Sequence, residues 1–80
     1  MPTKRNQALI YRPVPGFLRD LRMRAGLTQR QLAAKLKEGA WWVERCEMGS
    51  RRVDVAEFVA WCKACRVPPQ QAIEELTTKG

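Results

Sequence analysis

The sequence predicts an all-α fold, five short helices packed as one small domain behind an extended N-terminal arm. Three observations predict it. Apolar residues recur at spacings of three and four from Gly16 onward, polar capping pairs precede two of those stretches, and Gly or Pro punctuates every gap between them. At 80 residues, 45% of them apolar, the chain has surface for one core and no more, and is too rich in apolar residues for a disordered basic tail.

Residues 1–15 hold Pro2, Pro13 and Pro15 with the basic pair Lys4-Arg5, and read as the arm. Within it Ala8-Leu9-Ile10-Tyr11 is an apolar, β-prone run that either pairs as a strand with a second copy or packs against the body. From Gly16 the period turns helical. Phe17, Leu18, Leu21 and Ala25 make one stripe, with Arg19, Arg22 and Arg24 mostly off it, and Gly26 ends the helix. Thr28 with Gln31 is a capping-box pair, and Leu32, Ala33 and Leu36 give the second helix its buried side.

Only Lys37, Glu38 and Gly39 separate that helix from the third, over residues 40–47, so the two cross steeply. Wheeled at about 100° per residue, the third helix puts Ala40, Trp41, Glu44, Arg45 and Met48 on one face. Trp42, Val43, Cys46 and Glu47 take the other, which is the core face apart from Glu47. Gly49-Ser50 and Arg51-Arg52 follow. Asp54 with Glu57 caps a fourth helix carrying Val55, Phe58, Val59, Trp61, Cys62 and Cys65. Pro68-Pro69 opens a last helix with Ala72, Ile73 and Leu76, the domain spans 16–76, and residues 77–80 are a frayed end.

Fifteen Lys and Arg against eight Asp and Glu leave a charge of +7. Residues 1–37 hold nine of those cations against Asp20 alone, so the arm and the first two helices carry the excess. A basic folded domain suits a nucleic-acid partner. With no histidine, and no Ser, Cys or acid cluster beside a plausible base, catalysis, a cofactor and a metal site are not expected. Cys62-x-x-Cys65 lies on an apolar helix stripe, with only Cys46 to add a third thiolate, and reads as core. The absence of a signal peptide or membrane-spanning run, and a sparse, odd set of cysteines, place the protein in the cytoplasm and off the membrane.

Gly26-Leu27-Thr28-Gln29, the Leu32-Ala33 pair, Glu47-x-Gly49 and the capped helix after Arg51-Arg52 resemble the helix-turn-helix of the phage-repressor and Cro family, often called XRE-like. The resemblance covers residues 16–76 and implies a lambda-repressor-like domain. It implies sequence-specific binding of double-stranded DNA by a homodimeric repressor or autoregulator with the helix over 40–47 in the major groove. The family's base-facing positions match Ala40, Trp41, Glu44 and Arg45, the same residues the wheel turns outward. Arg45 either forks to guanine O6 and N7 or is a surface arginine that pairs with Glu44 or meets a phosphate, and Glu44 either accepts from cytosine N4 or orients Arg45. Trp41 packs on a thymine methyl or a base step, or lies over a neighbouring side chain or a protein partner.

Phosphate contacts fall to Gln29 and Arg30 at the start of the second helix and to Arg51 and Arg52 after the third, with Arg52 alternatively supporting the fourth helix. The resemblance pairs Glu47 with Arg22 as a structural ion pair. The chain departs from its relatives at Ala40 and Trp41, where small polar readers or Lys are usual. It departs again at Gly39, which supplies no polar cap, and at Lys37, where Gly commonly ends the second helix. A protein-interaction or antitoxin-type module on the same fold is the alternative, and the dimer surface is either the arm or the last helix.

Overall fold

The computed structural model describes residues 11–79, the last of these in its backbone only. Among these residues five helices follow in order: α1 (Val14–Arg24), α2 (Gln29–Leu36), α3 (Ala40–Met48), α4 (Val55–Ala64) and α5 (Pro69–Lys79). No strand occurs among the described residues. Of the run 8–11, only Tyr11 lies within them, and its backbone is helical.

The first boundary differs from the sequence expectation. α1 begins at Val14 rather than Gly16, because Pro15 sits where a helix needs no amide donor and the Pro13 carbonyl accepts from Phe17 N–H at 3.1 Å. The last boundary differs too. The apolar pattern stops at Leu76, but the helix runs on to Lys79, with the Thr77 and Thr78 hydroxyls both donating to the Glu74 carbonyl at 2.9 Å.

Both capping boxes form. Thr28 accepts from Gln31 N–H while the Gln31 side chain accepts from Thr28 N–H, and Asp54 and Glu57 repeat the arrangement. Such a cap satisfies two otherwise orphan amides and is worth about 1 kcal/mol. Lys37 closes α2 in the left-handed region (φ 57°), and Gly49 closes α3 there (φ 85°). A side chain at 37 costs the turn some strain; glycine at 49 does not.

Leu18, Leu21, Leu32, Val43, Cys46, Trp61 and Cys62 are fully buried and join α1 to α4 into one core. Trp61 is its anchor, since the indole Nε1 donates to the Leu18 carbonyl at 3.0 Å and the ring lies 6.1 Å from that of Trp42. A buried tryptophan needs such a partner for its one donor. The three thiols are free and buried, and burial pushes those of Cys62 and Cys65 up to about 11. Two residues leave the predicted stripes: Val55 is 81% exposed and Ile73 47%. Ile73 lies one position past the buried Ala72, whereas Val55 shares the stripe of Phe58 and Cys62 but stands at the first position of α4.

Candidate nucleic-acid interface

Sequence placed one face of α3 inward and the other outward, and the side chains follow that division. Trp42, Val43 and Cys46 are buried, whereas Trp41, Glu44, Arg45 and Met48 are exposed and Ala40 is half-buried. α2 packs on α3 across the turn 37–39, and Trp41 and Arg45 on the outward side of α3 are exposed.

The inner face is fixed by Glu47. Its carboxylate accepts from Arg22 Nε at 2.6 Å, from Arg22 Nη2 at 3.0 Å and from Gln29 Nε2 at 3.1 Å. Arg22 Nη1 also donates to the Leu27 carbonyl at 2.9 Å, in the turn between α1 and α2. The Glu47 side chain is only 4% exposed and that of Arg22 12%. One carboxylate therefore ties α1, α2 and α3 together, and it raises the Arg22 guanidinium above its ordinary value through the hydrogen bonds it accepts. The contribution of Gln29 carried no signal in the sequence, since nothing in its spacing relates it to a residue 18 positions away.

Arg45 lies over the Trp41 ring, 5.1 Å from its centroid, and makes no ion pair with Glu44. Glu44 instead lines a recess of about 270 Å³ with Arg19, Arg22, Gln29, Glu47 and Met48, between α1 and α3. Arg30 is exposed beside the N-terminus of α2.

The two arginines after α3 are held more firmly than their sequence suggests. Arg51 makes a two-pronged contact with Glu57 at 3.0 and 3.1 Å, donates to the Arg52 carbonyl at 3.0 Å, and lies 5.0 Å from the Trp42 ring centroid. Glu57 raises Arg51 well above the ordinary guanidinium range, and Arg51 in turn lowers the Glu57 carboxyl, helped by the Asp54 N–H. Arg52 stacks on Tyr11 at 4.3 Å, and the Tyr11 hydroxyl accepts from Val53 N–H at 2.9 Å. Glu57 showed in the sequence only as a capping residue, and Tyr11 only as part of an apolar run.

Two short helices packed on each other across a three-residue turn, the second with an exposed outward face and a back held by Arg22 and Glu47, define a helix-turn-helix domain. A family model described as a helix-turn-helix domain matches residues 16–76. Among solved structures, an XRE-family like protein from Pseudomonas syringae pv. tomato str. DC3000 is 30% identical with a TM-score of 0.85, over 95% of this chain and 93% of that one. No curated protein matches. The chain belongs to the XRE-like helix-turn-helix family, whose fold supports DNA binding and a role in transcription regulation. No helix among the described residues is long and apolar enough to cross a membrane.

Proposed function

We propose that this protein binds double-stranded DNA sequence-specifically as a homodimer and represses transcription in the cytoplasm, with α3 in the major groove. The observation that carries the reading is the two-sided build of α3, an exposed face of Trp41, Glu44 and Arg45 on a back locked by Arg22 and Glu47. A groove about 12 Å wide admits one helix, and a helix that cannot rock keeps its side chains in register with base edges. Ala40, Trp41, Glu44 and Arg45 face the base pairs. Gln29, Arg30, Arg51 and Arg52 meet phosphates; Arg30 does so most freely, and Arg51 through what its contact with Glu57 leaves open.

One recognition helix touches few base pairs, so useful specificity calls for two half-sites about one helical turn apart. The homodimer reading is supported by a groove of about 450 Å³ between α4 and α5, almost wholly apolar, lined by Tyr11, Val14, Val53, Phe58 and Leu76 and flanked by the exposed Val55 and Ile73. Ile73→Asp should convert a dimer to a monomer in sedimentation analysis and weaken operator binding.

Selection from random duplexes, followed by titration of the enriched sequence over a range of salt, tests the whole reading. A palindromic consensus with a steep salt slope supports it. Arg45→Ala should relax preference at a few base pairs, while Arg30→Ala and Arg51→Ala weaken all sequences alike. The second reading, a protein-binding or antitoxin-type module, is favoured by Trp41 and Met48, which put 54% and 71% of large apolar side chains into solvent on the same face. Enrichment of no duplex, with capture of a protein partner abolished by Trp41→Ala, would support it instead.

A further inference from the structure

Gly39 is the N-cap of α3, a position where Ser, Thr, Asp or Asn would accept from a free backbone N–H, and no side-chain cap is made there. Glycine has no side chain with which to make it. A Cβ on Gly39 would run into the Trp41 indole at Nε1 and Cδ1. The indole thus lies back over the entrance of α3, in space it would have to leave if residue 39 carried a Cβ.

From there the ring carries Arg45, its neighbour one helical turn on, 5.1 Å from the centroid. A guanidinium held over an aromatic face by a cation–π contact spends no N–H donor on it, and those donors are the part that recognises a planar pair of acceptors. Among the described residues the Arg45 side chain has no hydrogen bond or ion pair that would occupy the edge.

We propose that Trp41 is a positioning residue for Arg45, holding the guanidinium so that it forks to O6 and N7 of one guanine in each half-site, and that Gly39 serves to admit the indole. The inference rests on the DNA-binding reading above and deepens it by naming the base and the side chain that presents its reader. A long, rotamer-rich arginine loses side-chain entropy when it binds; one already stacked loses less. Trp41 acts through Arg45 and reads no base pair of its own.

The test uses the full chain and the duplex enriched by selection, remade with 7-deazaguanine at each guanine in turn to delete N7 alone. The parent should lose about tenfold in affinity at one guanine per half-site, since O6 remains but one arm of the fork is left without an acceptor. Arg45→Ala should be indifferent to that substitution. Trp41→Leu should lose most of the penalty at the same guanine, Trp41→Phe should keep more of it, and the Trp41→Leu/Arg45→Ala double variant should bind no worse than Arg45→Ala. Gly39→Ser should weaken the guanine preference as Trp41→Leu does, even where the serine cap raises the melting temperature. In the free protein, the Arg45 δ protons should be shifted upfield by the indole ring and return to ordinary positions in Trp41→Leu.

A Trp41→Leu protein that keeps the full 7-deazaguanine penalty, or that changes preference at a different base pair, overturns the inference while leaving DNA binding intact. A parent that enriches no duplex overturns the DNA-binding reading and the inference with it.

Discussion

Glu47→Ala removes the acceptor for three donors at once, Arg22 Nε, Arg22 Nη2 and Gln29 Nε2. What remains is a guanidinium with 12% of its side chain exposed that has lost its one ion-pair partner. Breaking a buried pair from one side costs about 3–5 kcal/mol, and the lower end applies here because Arg22 keeps its bond to the Leu27 carbonyl and some access to water. For a domain of this size each kcal/mol moves the melting temperature by about 4–8 °C, so a loss of about 3 kcal/mol lowers it by roughly 12–24 °C. Thermal denaturation followed by far-ultraviolet circular dichroism measures it. Glu47→Gln should fall less far, since one acceptor oxygen remains. The double change Arg22→Met with Glu47→Leu should recover most of the loss, because it leaves no unpaired charge. If Glu47→Ala melts within a degree or two of the parent, the pair does not hold α3 to α1 and the reasoning fails.

Three further outcomes follow from local geometry. Lys37→Gly should stabilise the domain by about 0.5–1 kcal/mol in denaturant titration, because the left-handed C-cap of α2 disfavours a side chain; a loss of stability would show that Lys37 makes a contact worth more than the strain. Glu57 has its carboxyl held below the ordinary value of 4.5, so the stability it contributes is present above that pH and is lost as pH falls through the lower folded value. Glu57→Gln should therefore flatten the acid limb of the stability profile, and an unchanged limb would refute the Arg51–Glu57 contribution. Cys62 and Cys65 run the other way: their folded thiols titrate near 11 against an ordinary 9.0, so stability should be whole below about pH 9 and fall as pH rises toward 11. At neutral pH they should resist a thiol reagent until the protein unfolds, and rapid labelling of the folded chain would contradict their burial.

The fold was legible where periodicity and capping carried it. Phe17, Leu18 and Leu21, the Thr28–Gln31 and Asp54–Glu57 boxes and the inward set of Trp42, Val43 and Cys46 are all properties of a few residues within one helix, which is the range over which a sequence pattern speaks. Ends were harder to read. Val14 and Pro15 look like arm because proline breaks helix interiors, yet proline also starts helices, and the local pattern does not choose between those uses. Val55 and Ile73 fit the apolar period, yet Val55 stands at the first position of α4 and Ile73 beside the buried Ala72, and the local pattern does not say that both meet water.

The candidate site was legible as a face and not as a set of contacts. The wheel turned Trp41, Glu44 and Arg45 outward, but the fold of the indole over Gly39, and hence its stacking with Arg45, depends on side-chain direction that spacing does not encode. Gln29 on Glu47, Arg51 on Glu57 and Arg52 on Tyr11 span 18, six and 41 positions. Such partners meet only once the helices have packed, so three residues assigned to phosphate on charge and position turn out to have intramolecular partners as well.

The central claim, that α3 presents its outward face to DNA, is tested most directly by a proton–nitrogen NMR titration of the protein with its selected duplex. Three tryptophans make the experiment self-controlled, since Trp41 is exposed on that face, Trp42 lies behind it and Trp61 is buried with its indole N–H on the Leu18 carbonyl. The largest shifts should fall on the Trp41 indole and the Arg45 Nε–H, with the Trp61 indole unmoved. Shifts concentrated on Ile73 and the groove between α4 and α5, with Trp41 and Arg45 unchanged, would contradict it.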